Sequence, residues 1–358
     1  MYIPTLFSLS AGLRPPLRRG GAAATPMAFV RAIVQVYAQR GMDPGTALQA
    51  AQIAQEQLTH EDARITAWQM EALCGAAMHE LDDEALGWFE RRLPWGSYGM
   101  LARASISAPH LGLALARWCR HHGLLTDAIT LSLNEDGNRA AIVITEHRPL
   151  GFDGSLREFC LVSVLRNIHG LACWFVDSRL PLRAVEFPFE APAHASTYSL
   201  LFPAPERFGA PQAAIHFDSN YLALPLARDE AALRQMLQRA LPLTVLQYRH
   251  ERLLSARVRQ LLADDPATLQ GATLLAERLN LSPRTLHRQL QQESSSLQQL
   301  KNEVRLGLAR QLLRHTDRPI KLVALAAGYA NEKSFIRAFR GWTGMAPAQW
   351  RAQSRSGG

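Results

Sequence analysis

The sequence predicts an α+β N-terminal domain followed by an all-α C-terminal domain with two helix-turn-helix motifs joined by a linker helix. Three observations support this prediction. A chain of 358 residues is long enough for about two domains of roughly 150 residues each. Apolar residues change from helical spacing to strict alternation and back within the first 240 residues. The last 100 residues contain an internal repeat of helical segments and turn residues.

The charge is distributed unevenly along the chain. The sequence holds 39 basic and 31 acidic side chains, which give a formal net charge of +8. Residues 251–358 contain 17 basic and 8 acidic side chains, a net charge of +9, and residues 1–250 are nearly neutral at −1. Such a basic module on a near-neutral body is typical of a nucleic-acid-binding protein. A lipid-binding surface would more often show one dense Lys/Arg run, and this sequence has none.

The N-terminal end and the cysteines indicate the cellular compartment in which the protein is expected to act. Residues 1–25 are predicted to be a disordered tail, and Met27, which opens the first periodic helix, is an alternative translation start. The arginines of this tail follow its apolar patch, which argues against a secretory signal. No apolar run reaches the roughly 18 residues that span a bilayer. Four cysteines without a Cys-x-x-Cys pair favour a reduced, cytoplasmic protein.

Residues 26–240 are predicted to form the α+β domain. Its clearest element is a β-hairpin, because apolar residues alternate over 129–133 and 141–145 on either side of a turn at Gly137. The remaining elements follow from the same periodicity rules. Helices are predicted over Met27–Arg40, 60–92, 109–122, Leu156–Val176 and Asp229–Leu241, and strands near 183–189, 213–218 and 221–224.

The C-terminal half begins with a further helical pattern over Leu243–Leu262. We therefore assign residues 241–265 to a linker helix and residues 266–355 to the double helix-turn-helix domain. Within that domain, a stripe at Val304, Leu308 and Leu312 predicts a connecting helix about 20 Å long, which can hold two motifs side by side.

The two motifs repeat with a shift of 48 to 49 residues. Ala276 and Ala324 are small residues where a second helix must cross the first closely. Asn280 and Gly328 stand where the chain must turn, and these residue types best tolerate a positive φ. The second helix of each motif then begins at an N-cap residue, Ser282 or Asn331. Its apolar residues, spaced four apart, are expected to face the core; they are Leu286 and Leu290 in one copy and Phe335 and Phe339 in the other.

The other residues of these second helices are expected to face outward, where they can reach base edges in a major groove. Arginine can bind guanine O6 and N7 in a bidentate pair. Two roles are open for the Ile336 side chain: contact with a thymine methyl group, or packing within the protein. For Glu332, we favour interaction with the helix N-terminus over contact with cytosine. The predicted DNA-facing residues are Arg284, Thr285, His287, Arg288, Glu332, Lys333, Ser334, Ile336 and Arg337. Other basic residues are available for phosphates or solvent, namely Lys301, Arg305, Arg340 and Arg351.

This module resembles the AraC/XylS-type DNA-binding domain of bacterial transcription regulators over about 100 residues. The matching residues include Leu281-Ser282-Pro283-Arg284-Thr285-Leu286-x-Arg288, Ile320, Val323-Ala324, Gly328-Tyr329, Ser334-Phe335-x-Arg337-x-Phe339, Gly344, Pro347 and Trp350-Arg351. The resemblance implies sequence-specific binding of double-stranded DNA by the residues named above. One departure is the segment Glu293-Ser294-Ser295-Ser296, where the family often has a glycine, and it leaves the geometry of that turn open.

The N-terminal domain resembles, more weakly, the arabinose-binding-like regulatory domain found in a subset of these regulators. The supporting stretches are the hairpin, Trp95-Gly96-Ser97-Tyr98-Gly99-Met100, Pro109–Leu115 and Tyr221–Leu226. This resemblance implies a small-molecule effector without identifying it. Of the many aromatic residues of this domain, most are expected to fill the core, and Tyr98, Trp118 and Trp174 are candidates to line a ligand pocket.

Two other functions stay open at this point. The N-terminal domain could only self-associate, which would make the chain a constitutive DNA-binding regulator. An alkyltransferase-like repair enzyme would instead need an exposed, reactive cysteine. His169 and Cys173 lie four apart on an apolar helix, a pattern that favours buried packing over metal binding, so we expect no metal and no cofactor. RNA polymerase and a second copy of the chain are further partners to test.

Overall fold

The computed structural model describes residues 23–246, 253–264, 272–293 and 295–356. Across these ranges, no helix combines the length and apolar character needed to cross a membrane. The strands are β1 (Ala23–Pro26), β2 (Arg64–Thr66), β3 (Ile129–Asp136), β4 (Arg139–Glu146), β5 (Leu182–Glu186), β6 (Glu206–Arg207) and β7 (Ala213–Asp218).

The helices of the N-terminal half are α1 (Met27–Gln39), α2 (Gly45–Ala50), α3 (Ala67–Glu80), α4 (Ser97–Ile106), α5 (Leu111–His122), α6 (Gly154–Phe175), α7 (Tyr198–Leu201), α8 (Glu230–Leu237) and α9 (Pro242–Val245). Those that follow are α10 (Leu254–Asp264), α11 (Ala272–Arg278), α12 (Pro283–Gln292), α13 (Leu297–His315), α14 (Ile320–Ala326), α15 (Glu332–Thr343) and α16 (Pro347–Ser356). The predicted α+β half followed by an all-α half is confirmed.

The main sheet has five strands in the order β3-β4-β7-β5-β6. All neighbours are antiparallel except β5 and β6. The predicted hairpin is confirmed: Asp136 pairs with Arg139, and Gly137 between them has a φ of 56°, which suits glycine. The strand predicted at 221–224 is wrong. Asp218 accepts a hydrogen bond from the Asn220 amide at 3.0 Å and starts a 3-10 helix over Ser219–Ala223.

The helix predicted over 60–92 is much shorter. Thr66 caps α3, accepting from the Gln69 amide at 3.2 Å. Beyond α3, the carboxylate of Asp83 is fully buried and accepts hydrogen bonds from the amides of Ala85, Gly87 and Leu93 at 3.0 Å each. These bonds hold the following chain in turns, because one buried side chain takes the amides that a continuing helix would use, and helical periodicity does not reveal this.

The predicted tail over residues 1–25 needs correction at its end. Ala23–Pro26 form β1, which pairs antiparallel with β2, and the side chain of Thr25 is buried. The strand continues into α1, where the Met27 amide donates to the Ala63 carbonyl at 2.9 Å. The rest of the predicted tail, residues 1–22, lies outside the described residues.

The N-terminal core is built around α6, which is close to the helix predicted over Leu156–Val176. Asp153 caps it, accepting from the Leu156 amide at 2.9 Å. Most of its 22 residues are buried, including two charged ones, Glu158 and Arg166, so the core surrounds this helix on nearly all sides. The helices α1, α5 and α9 pack against it. This central position matters below, because α6 also carries one buried arginine.

The C-terminal half has two separate apolar clusters that share one helix. Leu297 and Leu300 of α13 pack in the first cluster with α10, α11 and α12. Ala309 and Leu313 of the same helix pack in the second cluster with α14, α15 and α16. A connecting helix between two motifs was predicted from its apolar stripe, and α13 is that helix.

The helix predicted over Leu243–Leu262 is divided into α9 and α10, and residues 247–252 between them lie outside the described residues. Helix α10 contacts both halves of the molecule. Ala256 packs in the N-terminal core, while Val258 and Leu262 pack in the first C-terminal cluster. The predicted linker 241–265 therefore includes a helix that is part of a hydrophobic core.

Candidate DNA interface and effector cavity

The first helix-turn-helix motif consists of α11 and α12. Ala276 is fully buried on α11, and Asn280 in the turn has a φ of 55°, as its residue type predicted. The Ser282 hydroxyl accepts from the Thr285 amide at 3.1 Å and starts α12, with Pro283 in its first turn. Leu286 and Leu290 are fully buried, so the opposite face of α12 is free to face outward.

The second motif, α14 and α15, repeats these features. Ala324 is fully buried, Gly328 has a φ of 75°, and Asn331 caps α15 by accepting from the Ser334 amide at 2.9 Å. Phe335 and Phe339 are fully buried, with ring centroids 5.6 Å apart. Both motifs therefore have the same kind of turn, N-cap and buried pair, so α12 and α15 expose equivalent faces.

The predicted DNA-facing residues do not all have equal exposure. Lys333 and Arg337 are exposed on α15, and three residues are exposed on α12, namely Arg284, His287 and Arg288. Thr285 is half-buried and its hydroxyl shares a 2.8 Å hydrogen bond with Ser282. Glu332 is half-buried in the first turn of α15, and Ile336 packs against the second cluster.

The exposed face of α15 is slightly concave. Lys333, Ile336, Arg337, Arg340 and Gly341 line one shallow depression on this face. Arg340 is therefore next to the predicted base-facing residues. The sequence predicted only contact with phosphates or solvent for this residue. Its spacing of three residues from Arg337 is the signal that places it on the same helical face.

Other basic residues of the C-terminal half are used within the fold. Lys301 is buried, which lowers the pKa of its ammonium group. The Arg305 guanidinium lies over the Tyr329 ring, 5.0 Å from its centroid. Arg351 donates to the Arg318 carbonyl at 2.6 Å. These three side chains support the two motifs and are less available for phosphates than the sequence predicted.

The turn after α12 contains no glycine, and its geometry is explained by Glu293. This residue has a negative φ of −91°, and its carboxylate accepts from the amides of Leu254 and Ser255 at 2.7 and 2.8 Å. The carboxylate therefore sits at the N-terminus of α10, where the helix dipole favours a negative charge. Farther along, the Ser295 amide donates to the Leu290 carbonyl at 2.9 Å; Ser294 lies outside the described residues.

A cavity of about 600 Å³ lies in the N-terminal half. Helices α3, α4 and α6 form part of its wall, and residues 236–241 and 243–245 form another part. Its volume is in the range typical of small-molecule sites, roughly 300–1,000 Å³. Aromatic side chains make up much of its lining: Trp68, Trp88, Trp95, Tyr98, Trp118 and Phe159.

Two of the three aromatic residues predicted to line a pocket meet in this cavity. The Tyr98 and Trp118 rings are stacked, 6.0 Å apart at 19°. The prediction for Trp174 is not supported, because this residue is not in the lining. It packs against Phe175, with the Arg228 guanidinium 5.6 Å from its ring centroid. Helical spacing on α6 put Trp174 inside the domain but could not indicate which side of the helix meets the cavity.

The cavity also has polar residues that the sequence prediction missed. Arg166 of α6 lies in its wall, and burial lowers the pKa of the guanidinium to about 10. Glu84 is also in the wall, and burial raises the pKa of its carboxyl group despite bonds from the Gly96 and Tyr98 amides. The available signal for Arg166 was a charged residue in the middle of a mainly apolar helical run, and no local signal pointed to Glu84.

The cysteines are dispersed through the N-terminal half, and Cys74 is one of the cavity-lining residues. All four cysteines are buried and none is in a disulfide. Burial raises the pKa values of Cys74 and Cys119 to about 12. His169 and Cys173 do lie together, with 3.6 Å between Nε2 and Sγ, and Nε2 also lies 2.8 Å from the Leu180 carbonyl. Within the described ranges, no three His, Cys, Asp or Glu side chains are grouped to hold a metal ion.

Comparison with known proteins agrees with this two-part arrangement. Residues 41–226 match the family described as the arabinose-binding domain of AraC transcription regulator, N-terminal, and residues 275–353 match a helix-turn-helix domain. The ornithine utilization regulator of Pseudomonas aeruginosa is 29% identical over 331 residues, which cover 92% of this chain and 97% of that protein. An uncharacterized helix-turn-helix-type transcriptional regulator of Mycobacterium bovis is 26% identical over 338 residues, which cover 91% and 95%.

Among solved structures, the transcriptional regulator CdpR from Pseudomonas aeruginosa is 20% identical, with a TM-score of 0.32, over 91% of this chain and 98% of that one. The N-terminal family match alone covers more than half of the 358 residues. This chain therefore belongs to the AraC family of DNA-binding transcription regulators, with an N-terminal ligand-binding domain ahead of its helix-turn-helix domain.

Proposed function

We propose that α12 and α15 insert into the major groove of double-stranded DNA and that the N-terminal cavity binds the effector that controls this binding. The observation that carries the proposal is the repeated presentation of capped helices with exposed cations. Arg284, His287 and Arg288 face outward on one helix, and Lys333 and Arg337 on the other. Bidentate contacts from arginine to guanine would supply sequence specificity.

The remaining predicted residues act in supporting ways within this proposal. Thr285 and Ser334 have backbone amides held by the N-caps, so they orient the first turn that approaches the DNA. Glu332 stabilises the start of α15, and Ile336 offers a partly exposed apolar edge to a thymine methyl.

A footprinting experiment on the full chain tests the DNA part of the proposal. Fragments selected from genomic DNA by binding would be footprinted with and without the protein. Because the two motifs sit on opposite ends of α13, we expect two protected major-groove segments on one face of the duplex, about one helical turn or 34 Å apart. A single protected segment would contradict simultaneous insertion of both helices.

Further partners and the location belong to the same proposal. We propose that the protein acts in the cytoplasm, associated with the nucleoid through DNA, and contacts RNA polymerase when it alters transcription. We also propose that it self-associates as a homodimer on its operator. Mass measurement of the full chain with and without its DNA fragment tests this last point, and a one-to-one complex at all concentrations would contradict it.

The two alternatives are less well supported. A constitutive regulator would not need a ligand site, so that hypothesis does not explain the 600 Å³ cavity lined by aromatic residues and a buried guanidinium. A repair alkyltransferase needs a reactive thiolate, whereas the cysteines are buried and burial raises the pKa of Cys160 well above its usual value. Alkylation of the native protein with a methylating agent would detect a reactive thiol if one existed.

A further inference from the structure

Arg166 is a buried cation without an anionic partner among the described residues. Its Nε donates to the Thr244 carbonyl at 2.5 Å, and its Nη1 donates to the Leu201 carbonyl at 2.5 Å. Its guanidinium also lies 5.8 Å from the centroid of the Phe202 ring. No carboxylate in the described ranges forms an ion pair with it, and burial lowers the pKa of the guanidinium.

A buried charge is costly unless an opposite charge compensates it. Two buried carboxylates show such compensation: Asp83 pairs with Arg40 at 2.6 Å, and Asp218 pairs with Arg183 at 2.7 Å. Arg166 instead lines the cavity. An anion that enters the cavity would give this guanidinium the counter-charge that none of the described residues supplies.

From these observations we propose that the cavity binds an organic carboxylate whose anionic group pairs with Arg166 and whose apolar part contacts the aromatic walls. This inference rests on the proposed effector role and adds the chemical class of the effector. Additional polar sites are available. Three atoms of cavity-lining residues are buried without a hydrogen-bond partner in the described part of the chain: Asn167 Oδ1, Trp88 Nε1 and the Tyr98 hydroxyl oxygen.

The same guanidinium also holds the chain that leads to the DNA-binding half. Besides the bond from Arg166, Thr244 receives a hydrogen bond from the Asn167 amide to its hydroxyl at 3.0 Å. The Leu243 carbonyl lies so close to Gly170 that a Cβ there would be 2.0 Å from it. A carboxylate at Arg166 would therefore alter the hydrogen bonding of α9, which precedes α10 in the chain. Binding favours one arrangement of this segment and thereby shifts the regulator between states.

Matched pairs of small molecules test the charge requirement on the full chain. Hexanoate, 3-phenylpropionate, indole-3-acetate and ornithine would be compared with the corresponding primary amides in thermal unfolding. We expect at least one acid to raise the melting temperature in a saturable way and its amide to have no such effect. Equal effects of acid and amide, or no effect of any acid, would overturn the proposal.

Variants identify the residue responsible. Arg166→Gln should weaken binding of the active acid about ten- to hundredfold, because it removes a charge-assisted pair. Arg183→Gln, on the sheet and outside the cavity lining, is the matched control and should bind normally. Arg166→Gln also removes two bonds to carbonyls, so the link to α9 is tested separately by Thr244→Val, which removes the hydroxyl that accepts from Asn167 and leaves the carbonyl that accepts from Arg166. Thr244→Val keeps the cation and should retain acid binding while changing the effect of the acid on DNA affinity.

These outcomes separate the inference from the broader function. If a neutral compound, such as an amide, instead raised the melting temperature and altered DNA affinity, that result would support the effector role of the cavity. It would also contradict the proposal that the ligand of the cavity is an anion. Unchanged acid binding in Arg166→Gln would reject Arg166 as the partner. The footprint of the unliganded protein does not depend on any of these results. The DNA-binding proposal is therefore tested separately from the proposal on the ligand.

Discussion

The proposed DNA-facing helices, α12 and α15, and the proposed effector cavity present their cations in opposite ways. On α12 and α15, Arg288 and Arg337 are exposed on faces defined by local helical spacing. In the cavity, Arg166 is buried, and the surrounding wall comes from segments between Thr25 and Val245. An exposed cation can be removed with little effect on folding, whereas a buried one is tied to the fold. The two regions should therefore respond differently to substitution, to pH and to changes in their supporting cores.

The largest effect is expected from removing the core under one DNA-facing helix. Phe335 is fully buried, with the Tyr329 and Phe339 rings each 5.6 Å away. Phe335→Ala should lower the free energy of unfolding by about 3–5 kcal/mol, because it leaves a cavity in the small second cluster. Urea denaturation monitored by circular dichroism measures this. The neighbouring exposed residue gives the control: Lys333→Ala should change it by less than about 0.5 kcal/mol, and similar losses in both variants would contradict the assigned packing.

A pH effect between pH 7 and pH 5 is expected from two buried histidines of the N-terminal half. Burial lowers the pKa values of His122 and His169 from 6.5 to about 4. The unfolded chain then binds more protons than the folded protein between these values, so stability is full above about pH 6.5 and falls as the pH drops toward 4. Each histidine should contribute a loss of about 2 kcal/mol between pH 7 and pH 5.

Denaturation curves at the two pH values for three variants check this interpretation. His122→Asn and His169→Asn should each flatten the pH dependence; a change in packing alters stability at both pH values and so does not affect the difference between them. His287→Asn, on the exposed face of α12, should leave the pH dependence as it is. A full pH dependence in the two buried-site variants would show that other groups cause the acid sensitivity.

The repeat made the C-terminal motifs predictable from sequence. Turn residues, caps and buried pairs lie within a few positions of one another, so local rules predicted the positive φ of Asn280 and Gly328 and the caps at Ser282 and Asn331. What the sequence did not show was the use of Glu293 to cap α10, because the two partners are 38 and 39 residues apart.

The cavity was much less predictable. Tyr98 and Trp118 were chosen as aromatic residues, but nothing in the local sequence separates them from Trp174, which packs elsewhere. Arg166 meets Thr244 from 78 positions away, a contact that depends on how α9 returns to α6. Sequence periodicity identifies which residues are buried, and only the tertiary packing determines which buried residues surround an empty space.

A smaller effect is expected for single exposed arginines on the DNA-facing helices. Arg288→Ala and Arg337→Ala should each weaken specific DNA binding by about 1–3 kcal/mol and relax specificity at one base position. Competition binding with operator variants measures both quantities. Arg92→Ala removes the same charge from an exposed site in the N-terminal half and should leave specificity unchanged. If both helix variants kept wild-type affinity and specificity, the proposed faces of α12 and α15 would be wrong.

The smallest effect concerns the contact between the two halves. Arg259 of α10 donates to the Tyr221 hydroxyl at 3.1 Å and pairs with Glu303 of α13 at 3.0 Å, so one side chain bridges the N-terminal half and the connecting helix. Tyr221→Phe should lower the free energy of unfolding by about 0.5–1.5 kcal/mol, the net value of one hydrogen bond. Glu303→Gln should have an effect of similar size.

The double variant distinguishes a bridge from two independent contacts. If Arg259 links the halves, the effects of Tyr221→Phe and Glu303→Gln should not add, because both act through the same guanidinium. The sum of the two single losses in free energy of unfolding should then differ from the loss in the double variant by more than roughly 0.3–0.5 kcal/mol, the deviation found for independent sites. Additive effects would mean that the guanidinium serves each half separately, and communication between the cavity and the DNA-facing helices would then have to run through α9 and the start of α10.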